Sequence, residues 1–334
     1  MTRPLEAQTL RARSIDDLID LIPSLLGFHP AESLVVVCIV NGHVAVTARV
    51  DLDAVSTPDE ADACFAPLWD RFPGADCVVV VFSRRAEVAW LALEAAPWWV
   101  PEQARLDLAH VDGCRIYAFN GHVGRPYDPT GSALAAEAAY RGIRVLPARE
   151  ALAACLEPVL PRAELTAAVE WAIAEPPRQL LTRAHSVVAE AMNSEVVLDA
   201  ETAASLALAA YNLGFVECVL GGLTQESAES SVRLWTGVVR STLQEVGEAA
   251  AIVLGLAAWL NGDGALLNVC LERASGLAVD SPWYRFLQIV VGIALPPQRW
   301  EGVRSELIGG STDAWPDSAW DLCGEPWSGP SGDD

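Results

Sequence analysis

The sequence predicts an α/β domain built on a mixed sheet, followed by an all-α C-terminal helical domain. The long runs of β-branched residues that are typical of buried strands, such as 34–40 and 77–82, lie in the first half of the chain. From about Pro158 the chain instead consists of alanine- and leucine-rich segments with helical spacing. The predicted boundaries are 1–157 for the α/β domain, 158–300 for the helical domain and 301–334 for an acidic, disordered tail.

The first three elements have clear signals. Apolar residues recur at helical spacing over 14–26, with Ser14 as the N-cap, so a short amphipathic helix is predicted there. The apolar run 34–40 predicts a strand buried on both faces. Asn41-Gly42 favours a tight hairpin turn, and the alternation over 44–52 predicts a second, half-exposed strand.

Helices and strands then alternate, which is the basis of the α/β prediction. Thr57 precedes a helix that ends near Phe72, and Pro73-Gly74 separates it from a buried strand at 77–82. The remaining predicted elements of this half are strands at 114–119 and 143–146 and helices at 132–141 and 148–156.

The helical half is divided by turn residues such as Pro176-Pro177 and Gly221-Gly222. The segments on either side of Gly262-Asp263-Gly264 resemble a tetratricopeptide-like helical hairpin, with small residues at Ala265 and Ala274. Two interpretations stand: an ordinary helix pair that buries its apolar side chains, or part of a protein-binding surface.

The charge excludes several classes of function. The formal net charge is −22, and all 22 basic residues are arginine. Without lysine there is no P-loop, no pyridoxal Schiff base and no kinase-type phosphate site. An acidic surface repels phosphate groups, so neither nucleic acid nor an anionic membrane is expected as a partner.

The eight cysteines are scattered rather than paired at metal-ligand spacing, so we interpret them as small buried hydrophobes in a reducing compartment, with no metal and no cofactor. The longest uncharged apolar run, 249–260, is too short to cross a bilayer, and the N-terminus lacks the pattern of a secretory signal. A cytoplasmic location is therefore expected.

The first candidate site is the loop 27–33, where His29, Glu32 and Ser33 could supply a base, an acid and a nucleophile. The alternative is structural: Pro30 fixes the turn, and Glu32 or Ser33 bonds backbone groups at the strand entry.

The second candidate site is the loop 120–132, which leaves a strand and enters a helix, the place where α/β sheets usually bind ligands. An anion could bind at the helix N-terminus with the help of Arg125, or Asp128 and Thr130 could simply cap the helix. The candidate ligand residues in this loop are Asn120, His122, Arg125, Asp128, Thr130 and Ser132.

Three stretches carry a resemblance to a known family: LIPSLLGFHPAESLVVV at 21–37 with ARVDL at 48–52, WLNGDGALLNVCLERA at 259–274, and SALAAEAAYRGIRVLP at 132–147. Together they resemble an uncharacterised actinobacterial family, domain of unknown function 4192, over most of residues 10–300. The family often has a cysteine-rich segment between the strand and helix that match 114–119 and 132–141. Here that segment has no cysteine, and the resemblance implies no activity.

Two functional hypotheses follow. The first is a non-catalytic protein-interaction or regulatory module that binds another protein, or a second copy of itself, through the helical domain. The second is a small-molecule-binding or hydrolytic site at the strand ends of the α/β domain. The second hypothesis requires the loops at 27–33 and 120–132 to share a pocket.

Overall fold

The computed structural model describes residues 10–119, 123–191, 198–277 and 281–308. The chain forms two compact units, with the boundary in sequence between Arg149 and Glu150. The first unit contains a mixed sheet with helices, and the described part of the second is helical. This confirms the predicted order of an α/β region followed by a helical region.

The sheet has six strands in the order β2-β1-β3-β4-β5-β6. All neighbouring strands are antiparallel except β3 and β4, which are parallel and joined by a crossover helix. The strands are β1 (Ser33–Val40), β2 (His43–Asp51), β3 (Asp76–Phe82), β4 (Leu106–Val111), β5 (Arg115–Ala118) and β6 (Arg125–Pro126).

Four helices accompany this sheet, namely α1 (Ile15–Leu26), α2 (Pro58–Arg71), α3 (Ala86–Trp99) and α4 (Ala133–Tyr140). Local sequence explains their ends. The Ser14 hydroxyl accepts the Asp17 N–H to cap α1, and Thr57 and Glu60 form a capping box at α2. Gly27 ends α1 in the left-handed region at φ 78°.

The hairpin between β1 and β2 turns at Asn41 and Gly42, both with positive φ (52° and 78°). A tight hairpin turn of this type needs positive φ at both central residues, which is why the Asn-Gly dipeptide suits it. The predicted hairpin is confirmed.

α3 and α1 cover opposite faces of the sheet. On the α3 face, the Trp90 ring lies 5.5 Å from the His110 ring of β4. Side chains alternate along a strand, so Ala109 points to the other face, where it lines a cavity with Ile19 of α1. α2 packs on α3 through Phe65 and Trp99, whose ring centroids are 5.1 Å apart.

Three parts of the first unit differ from the prediction. Helix α3 and strand β4 occupy a stretch for which no element was predicted, because α3 is apolar on most sides and lacks a clear period. The strand predicted at 143–146 is wrong: Leu146 makes only an isolated parallel bridge to Phe28. A strand needs several consecutive residues paired with a neighbouring strand, and this segment has only the one bridge.

The remaining helices are α5 (Arg149–Ala154), α6 (Arg162–Ala174), α7 (Pro177–Ala191), α8 (Ala200–Ala209), α9 (Leu213–Gly221), α10 (Gln225–Arg240), α11 (Glu248–Leu260), α12 (Gly264–Arg273), α13 (Pro282–Gly292) and α14 (Trp300–Leu307). Helix α14 lies mostly in the segment predicted as a disordered tail, so that prediction is wrong for 301–307. Residues 309–334 of the predicted tail lie outside the described residues.

The second unit is built around α11, in which every residue from Ala249 to Leu260 is buried. Trp259 of α11 and Trp300 of α14, whose ring centroids are 5.9 Å apart, both donate their indole N–H groups to backbone oxygens. Trp259 donates to Leu295 at 2.7 Å, and Trp300 donates to Leu223 at 2.8 Å. The apolar run 249–260 is therefore the core of a helical unit.

Among the described residues, no helix taken singly has the length and apolar composition to cross a membrane. One pair, α8 with α9, reaches that length only when both helices are counted together across a bend of 100°.

Candidate functional site

The carboxyl ends of the parallel strands β3 and β4 form one edge of the sheet, which we call the strand-exit edge. β1 begins at this edge, because it runs antiparallel to β3 and its Ser33 pairs with Phe82. The segment after β6 also reaches this edge, where the Tyr127 N–H donates to the Cys114 carbonyl at 2.7 Å. Both predicted loops therefore approach the edge where open α/β sheets usually bind ligands.

Glu32 is held at the strand-exit edge by three hydrogen bonds. Its carboxylate accepts from the Ser83 hydroxyl at 2.8 Å, from the Arg85 Nε at 2.7 Å and from the Arg84 N–H at 3.2 Å. Its backbone has a φ of 44°, in the left-handed region that favours glycine. The carboxylate thus joins the residue before β1 to the three residues that follow β3.

The electrostatics of this cluster favour the charged forms. Burial alone would raise the pKa of Glu32, but the hydrogen bonds from Ser83, Arg85 and Arg84 outweigh it, so the pKa lies below its ordinary value. Arg85 also bonds Asp53, with 2.8 Å between Nη1 and Oδ1. Bonds to Asp53 and Glu32 raise the pKa of Arg85. A carboxylate in this state is a poor proton donor at neutral pH.

The other two candidates of the first loop, His29 and Ser33, make hydrogen bonds within the fold. Ser33 is buried, and its hydroxyl donates to the Ala31 carbonyl at 2.7 Å while accepting from Arg49 Nε at 2.8 Å. The His29 N–H donates to the Leu146 carbonyl at 3.0 Å, and burial lowers the pKa of its imidazole. Neither side chain is paired with Glu32 as an acid, base or nucleophile partner.

Arg125 lies in β6, and its guanidinium contacts a carboxylate. Nη2 lies 2.6 Å from Oδ1 of Asp16 in the first turn of α1. Burial raises the pKa of the nearby Asp20, with Arg125 opposing and the neighbouring aspartates reinforcing the shift. The positive charge predicted to bind an anion is therefore already balanced by acidic residues.

In the rest of the described second loop, Asp128 and Thr130 bond within the loop, and Ser132 rather than either of them caps helix α4. Asp128 accepts from the Thr130 N–H at 3.0 Å, the Thr130 hydroxyl at 2.9 Å and the Gly131 N–H at 2.9 Å, and these bonds lower its pKa. The Ser132 hydroxyl accepts from the Ala135 N–H at 3.1 Å as the N-cap of α4. Asn120 and His122 lie outside the described residues.

Tyr127 of the second loop contacts the end of β3, beside the residue that binds Glu32 of the first loop. Tyr127 lies 6.4 Å from Phe82 between ring centroids, and Phe82 immediately precedes Ser83, the partner of Glu32. However, the described residues of the two loops do not line the cavity of about 200 Å³ in this unit. That cavity lies beneath α1 and is lined by Ile15, Asp16, Ile19, Leu106, Asp107, Leu108, Ala109, Ile116, Ala118 and Phe119.

His110 is a buried polar residue that the sequence analysis did not single out. Its Nε2 lies 2.8 Å from the Ser83 carbonyl oxygen, and its ring stacks on Tyr117 at 5.6 Å between centroids. Its Nδ1 has no hydrogen-bond partner. A single histidine inside a strand gives no sequence signal that separates this arrangement from an ordinary core position.

A second feature that the sequence analysis missed is an exposed stripe on α3, which we call the α3 stripe: Glu87, Leu91, Glu94 and Trp98. Their spacing of four, three and four residues places them along one side of a helix. Leu91 is 66% exposed and Trp98 is 82% exposed. Since α3 itself was not predicted, its exposed side could not be identified.

The neighbouring helix α2 is also acidic. On α2, exposed acidic residues are Asp59, Glu60, Asp62 and Asp70. Arg71 is the one basic residue in α2 and α3, both of which are described throughout, and it is buried. The charged residues exposed on α2 and α3 are therefore all acidic, and α3 also exposes two large apolar side chains.

Metal binding has no support in the part of the chain that the structure describes. No group of three or more His, Cys, Asp or Glu side chains there is arranged to hold an ion.

The fold and these surfaces define a two-part chain, a mixed-sheet α/β unit followed by a helical unit, whose candidate ligand residues are largely engaged in bonds within the protein. A family described as "Domain of unknown function (DUF4192)" matches residues 16–293. The chain belongs to this family. No curated protein and no solved structure matched the chain.

Proposed function

We propose that this protein is a non-catalytic binding module that recognises a basic segment of a partner protein through the acidic side of α2 and α3. The observation that carries the proposal is the α3 stripe, in which two large exposed apolar side chains alternate with carboxylates.

The first step of the argument is the contrast between adjacent tryptophans. Trp99 is 4% exposed and stacks on Phe65, whereas Trp98 is 82% exposed. A lone exposed leucine would need no explanation. An exposed tryptophan in line with an exposed leucine, surrounded by charged residues, instead has the composition of the aromatic anchors at the centre of protein interfaces.

The second step concerns charge. The carboxylates of Glu87 and Glu94 alternate with Leu91 and Trp98 along the α3 stripe. A complementary ligand therefore alternates arginine or lysine with apolar side chains, as one side of a basic amphipathic helix does. A second copy of this chain is disfavoured on this surface, because both stripes are acidic and the net charge is −22.

The third step compares this surface with the helical hairpin of α11 and α12. We propose that α11 and α12 form the tetratricopeptide-like hairpin expected from the sequence. All residues of α11 from Ala249 to Leu260 are buried, so α11 offers no side chains to a partner, and α12 presents the polar Asn268 and Glu272. The α3 stripe is the better candidate because it exposes apolar anchors.

A displayed random-peptide library, selected on the immobilised full-length protein, tests the proposal. We expect the enriched peptides to combine basic and apolar residues, and the variant Leu91→Ala/Trp98→Ala to weaken their binding at least tenfold. Trp171→Ala is the matched control, since Trp171 is a half-exposed tryptophan on α6. It should leave binding unchanged.

Two results would contradict the proposal. One is enrichment of peptides without basic residues. The other is binding that survives the double substitution on α3 but responds to Trp171→Ala. A scrambled peptide of the same composition separates specific recognition from simple charge attraction, which falls with salt regardless of sequence.

Small-molecule binding in the α/β unit is the second candidate, and the cavity beneath α1 favours it. Among its apolar lining residues are two carboxylates: Asp16, which pairs with Arg125, and Asp107, whose Oδ2 lies 3.3 Å from Arg105 Nε. This lining suits a small apolar amine, which would replace one of these guanidinium groups as the carboxylate's partner, better than it suits an anion. A thermal-shift series with primary amines tests it: a shift that Asp107→Asn abolishes would support this candidate, and no shift would remove it.

A further inference from the structure

Cys38 of β1 and Cys77 of β3 lie directly opposite each other in the antiparallel ladder. Both are buried and both are free thiols. Since the two residues are register partners, their side chains point to the same face of the sheet. The pair therefore places two sulfur atoms side by side in the core of the first unit.

The hydrogen-bond pattern shows which type of ladder position this is. The Cys77 N–H donates to the Arg105 carbonyl at 2.7 Å, on the β4 side of β3 and away from β1. The Glu32 carbonyl accepts from the Leu52 N–H, on the β2 side of β1. Backbone groups of alternate residues along a strand point to the same side, so the backbone groups of Cys38, six residues later, also face β2 and not β3. The two cysteines therefore form a non-hydrogen-bonded pair.

Non-hydrogen-bonded pairs bring side chains closer than hydrogen-bonded pairs do. Their Cα atoms lie about 4.5 Å apart, which is within the range of about 4.4–6.8 Å seen in disulfides. No backbone movement is therefore required to join the sulfur atoms. The other described cysteines lie on or beside helices or at the start of β5, and none of them has a cysteine as its ladder partner.

The position of the pair also gives a route for oxidants. The next pair along the ladder, Ile39 with Asp76, is the last one, and Asp76 is exposed. The register of β1 against β2 shifts between Cys38 and Ile39. Ladder ends open more readily than the core does, so a transient opening of this end uncovers the sulfur atoms.

We propose that Cys38 and Cys77 form a reversible cross-strand disulfide when the protein is exposed to hydrogen peroxide. One thiolate attacks the peroxide oxygen, which breaks the O–O bond and gives a sulfenic acid and, after protonation, water. The second thiol then attacks the sulfenic sulfur, so that an S–S bond forms and a second water leaves. The two thiols lose two electrons and two protons, and the peroxide is reduced to water.

Burial sets the rate of this reaction. It raises the pKa of the Cys38 thiol to about 12, and it raises that of Cys77 further with a contribution from Cys38. Little thiolate is therefore present at neutral pH in the closed ladder. The disulfide should form slowly and only after the end of the ladder opens, whereas exposed thiols react first.

Peptide mapping of the full-length protein tests the proposal. The exposed thiols are first alkylated on the native protein, which is then treated with hydrogen peroxide and digested with trypsin without reduction. Cleavage after arginine places Cys38 in the peptide 14–49 and Cys77 in the peptide 72–84. We expect the two peptides to appear linked, lighter than their sum by two hydrogen atoms, and to separate after dithiothreitol.

The variants Cys38→Ala and Cys77→Ala serve as controls. Each should abolish the linked peptide. In the parent protein, peroxide should raise the melting temperature, because the disulfide closes the chain between Cys38 and Cys77 into a covalent loop. Neither variant should show this rise. If either variant folds poorly, peptide mapping of the parent protein still shows whether the disulfide forms. The proposal is overturned if the linked peptide is absent although the same peroxide dose fully oxidises the exposed Cys64 in a parallel sample that was not alkylated, or if the linked peptide forms only in denaturant.

Discussion

The Glu32 carboxylate accepts a 2.8 Å hydrogen bond from the Ser83 hydroxyl, although the two residues are 51 positions apart in sequence. This bond ties the entry of β1 to the exit of β3 at the strand-exit edge. Ser83 is buried; its hydroxyl also accepts from the Arg85 N–H at 3.0 Å, and Glu32 is the acceptor for its own proton. The backbone φ of Glu32 is 44°, which is unfavourable for a residue other than glycine.

Glu32→Ala should therefore lower the free energy of unfolding by about 1–3 kcal/mol, because the buried Ser83 hydroxyl loses its acceptor. The half-exposed contact with Arg85 adds little, since exposed ion pairs are screened by solvent. Urea denaturation measures the change. Glu102→Ala, which removes an exposed carboxylate, is the control and should stay within about 0.5 kcal/mol of the parent protein.

The same contact should depend on pH. The folded-state pKa of Glu32 lies below its unfolded value, so its stabilisation is complete at neutral pH and is lost as the pH falls through the folded-state pKa. The difference in stability between the parent protein and Glu32→Ala should thus narrow between pH 7 and about pH 3. A difference that grows toward acidic pH would contradict this assignment.

Truncating the adjacent tryptophans Trp98 and Trp99 of α3 should change the free energy of unfolding by very different amounts. Trp99→Ala removes a buried ring that stacks on both Phe65 and Trp69, and should lower the free energy of unfolding by about 3–5 kcal/mol. Trp98→Ala removes an exposed ring and should change stability by about 0.5 kcal/mol or less. Equal losses in chemical denaturation would show that Trp98 is part of the core, which would also remove the basis of the proposed binding surface.

Arg273 at the end of α12 is a buried cation with incomplete pairing. Its side chain is 6% exposed, its contact with Glu157 is 3.8 Å long, and its Nε and Nη2 have no hydrogen-bond partner. Burial lowers its pKa, and the carboxylate of Glu157 only partly opposes the shift. Arg273→Met should therefore raise the free energy of unfolding by about 1–4 kcal/mol.

The exposed Arg233, paired with Glu229 along α10, provides the matched control. Arg233→Met should change the stability by about 0.5 kcal/mol or less in the same denaturation series. A loss of stability in Arg273→Met would instead mean that the guanidinium makes bonds that stabilise the folded state.

Two glycines of the helical unit should also differ. A Cβ on Gly255 of α11 would lie 2.9 Å from Leu287 Cδ1 and 3.2 Å from Cys270 Cβ, so Gly255→Ala should destabilise the protein by about 1–3 kcal/mol. A Cβ on Gly302 of α14 would meet nothing within 4 Å, so Gly302→Ala should stabilise the protein by about 0.5–1 kcal/mol. Thermal unfolding of the two variants would show melting temperatures on opposite sides of the parent value.

Local signals made part of the fold predictable. The capping residues Ser14 and Thr57, the Asn41-Gly42 turn and the β-branched run of β1 each act over a few positions, and each forms the predicted element. Helix α3 was not predicted because its buried side faces both the sheet and α2, which leaves too few polar residues to mark a period.

The candidate site was harder to predict, because its contacts join residues far apart in sequence. Glu32 was identified from its loop, but its partners Ser83 and Arg85 become neighbours only once β1 and β3 pair. Arg125 was expected to be available for an anion, and the sequence gives no sign that Asp16 of α1 lies 2.6 Å away. Charge balance of this kind depends on tertiary structure.

The burial of α11 on every side has a consequence for how the chain is made. Its neighbours come from both directions along the sequence: α8 and α10 precede it, whereas α12 and α13 follow. During synthesis, the apolar helix from Ala249 to Leu260 can pack against α8 and α10 at once, but its remaining sides stay uncovered until the ribosome has released α13, which ends at Gly292. A nascent polypeptide halted within that interval would be a substrate for chaperones and prone to aggregate.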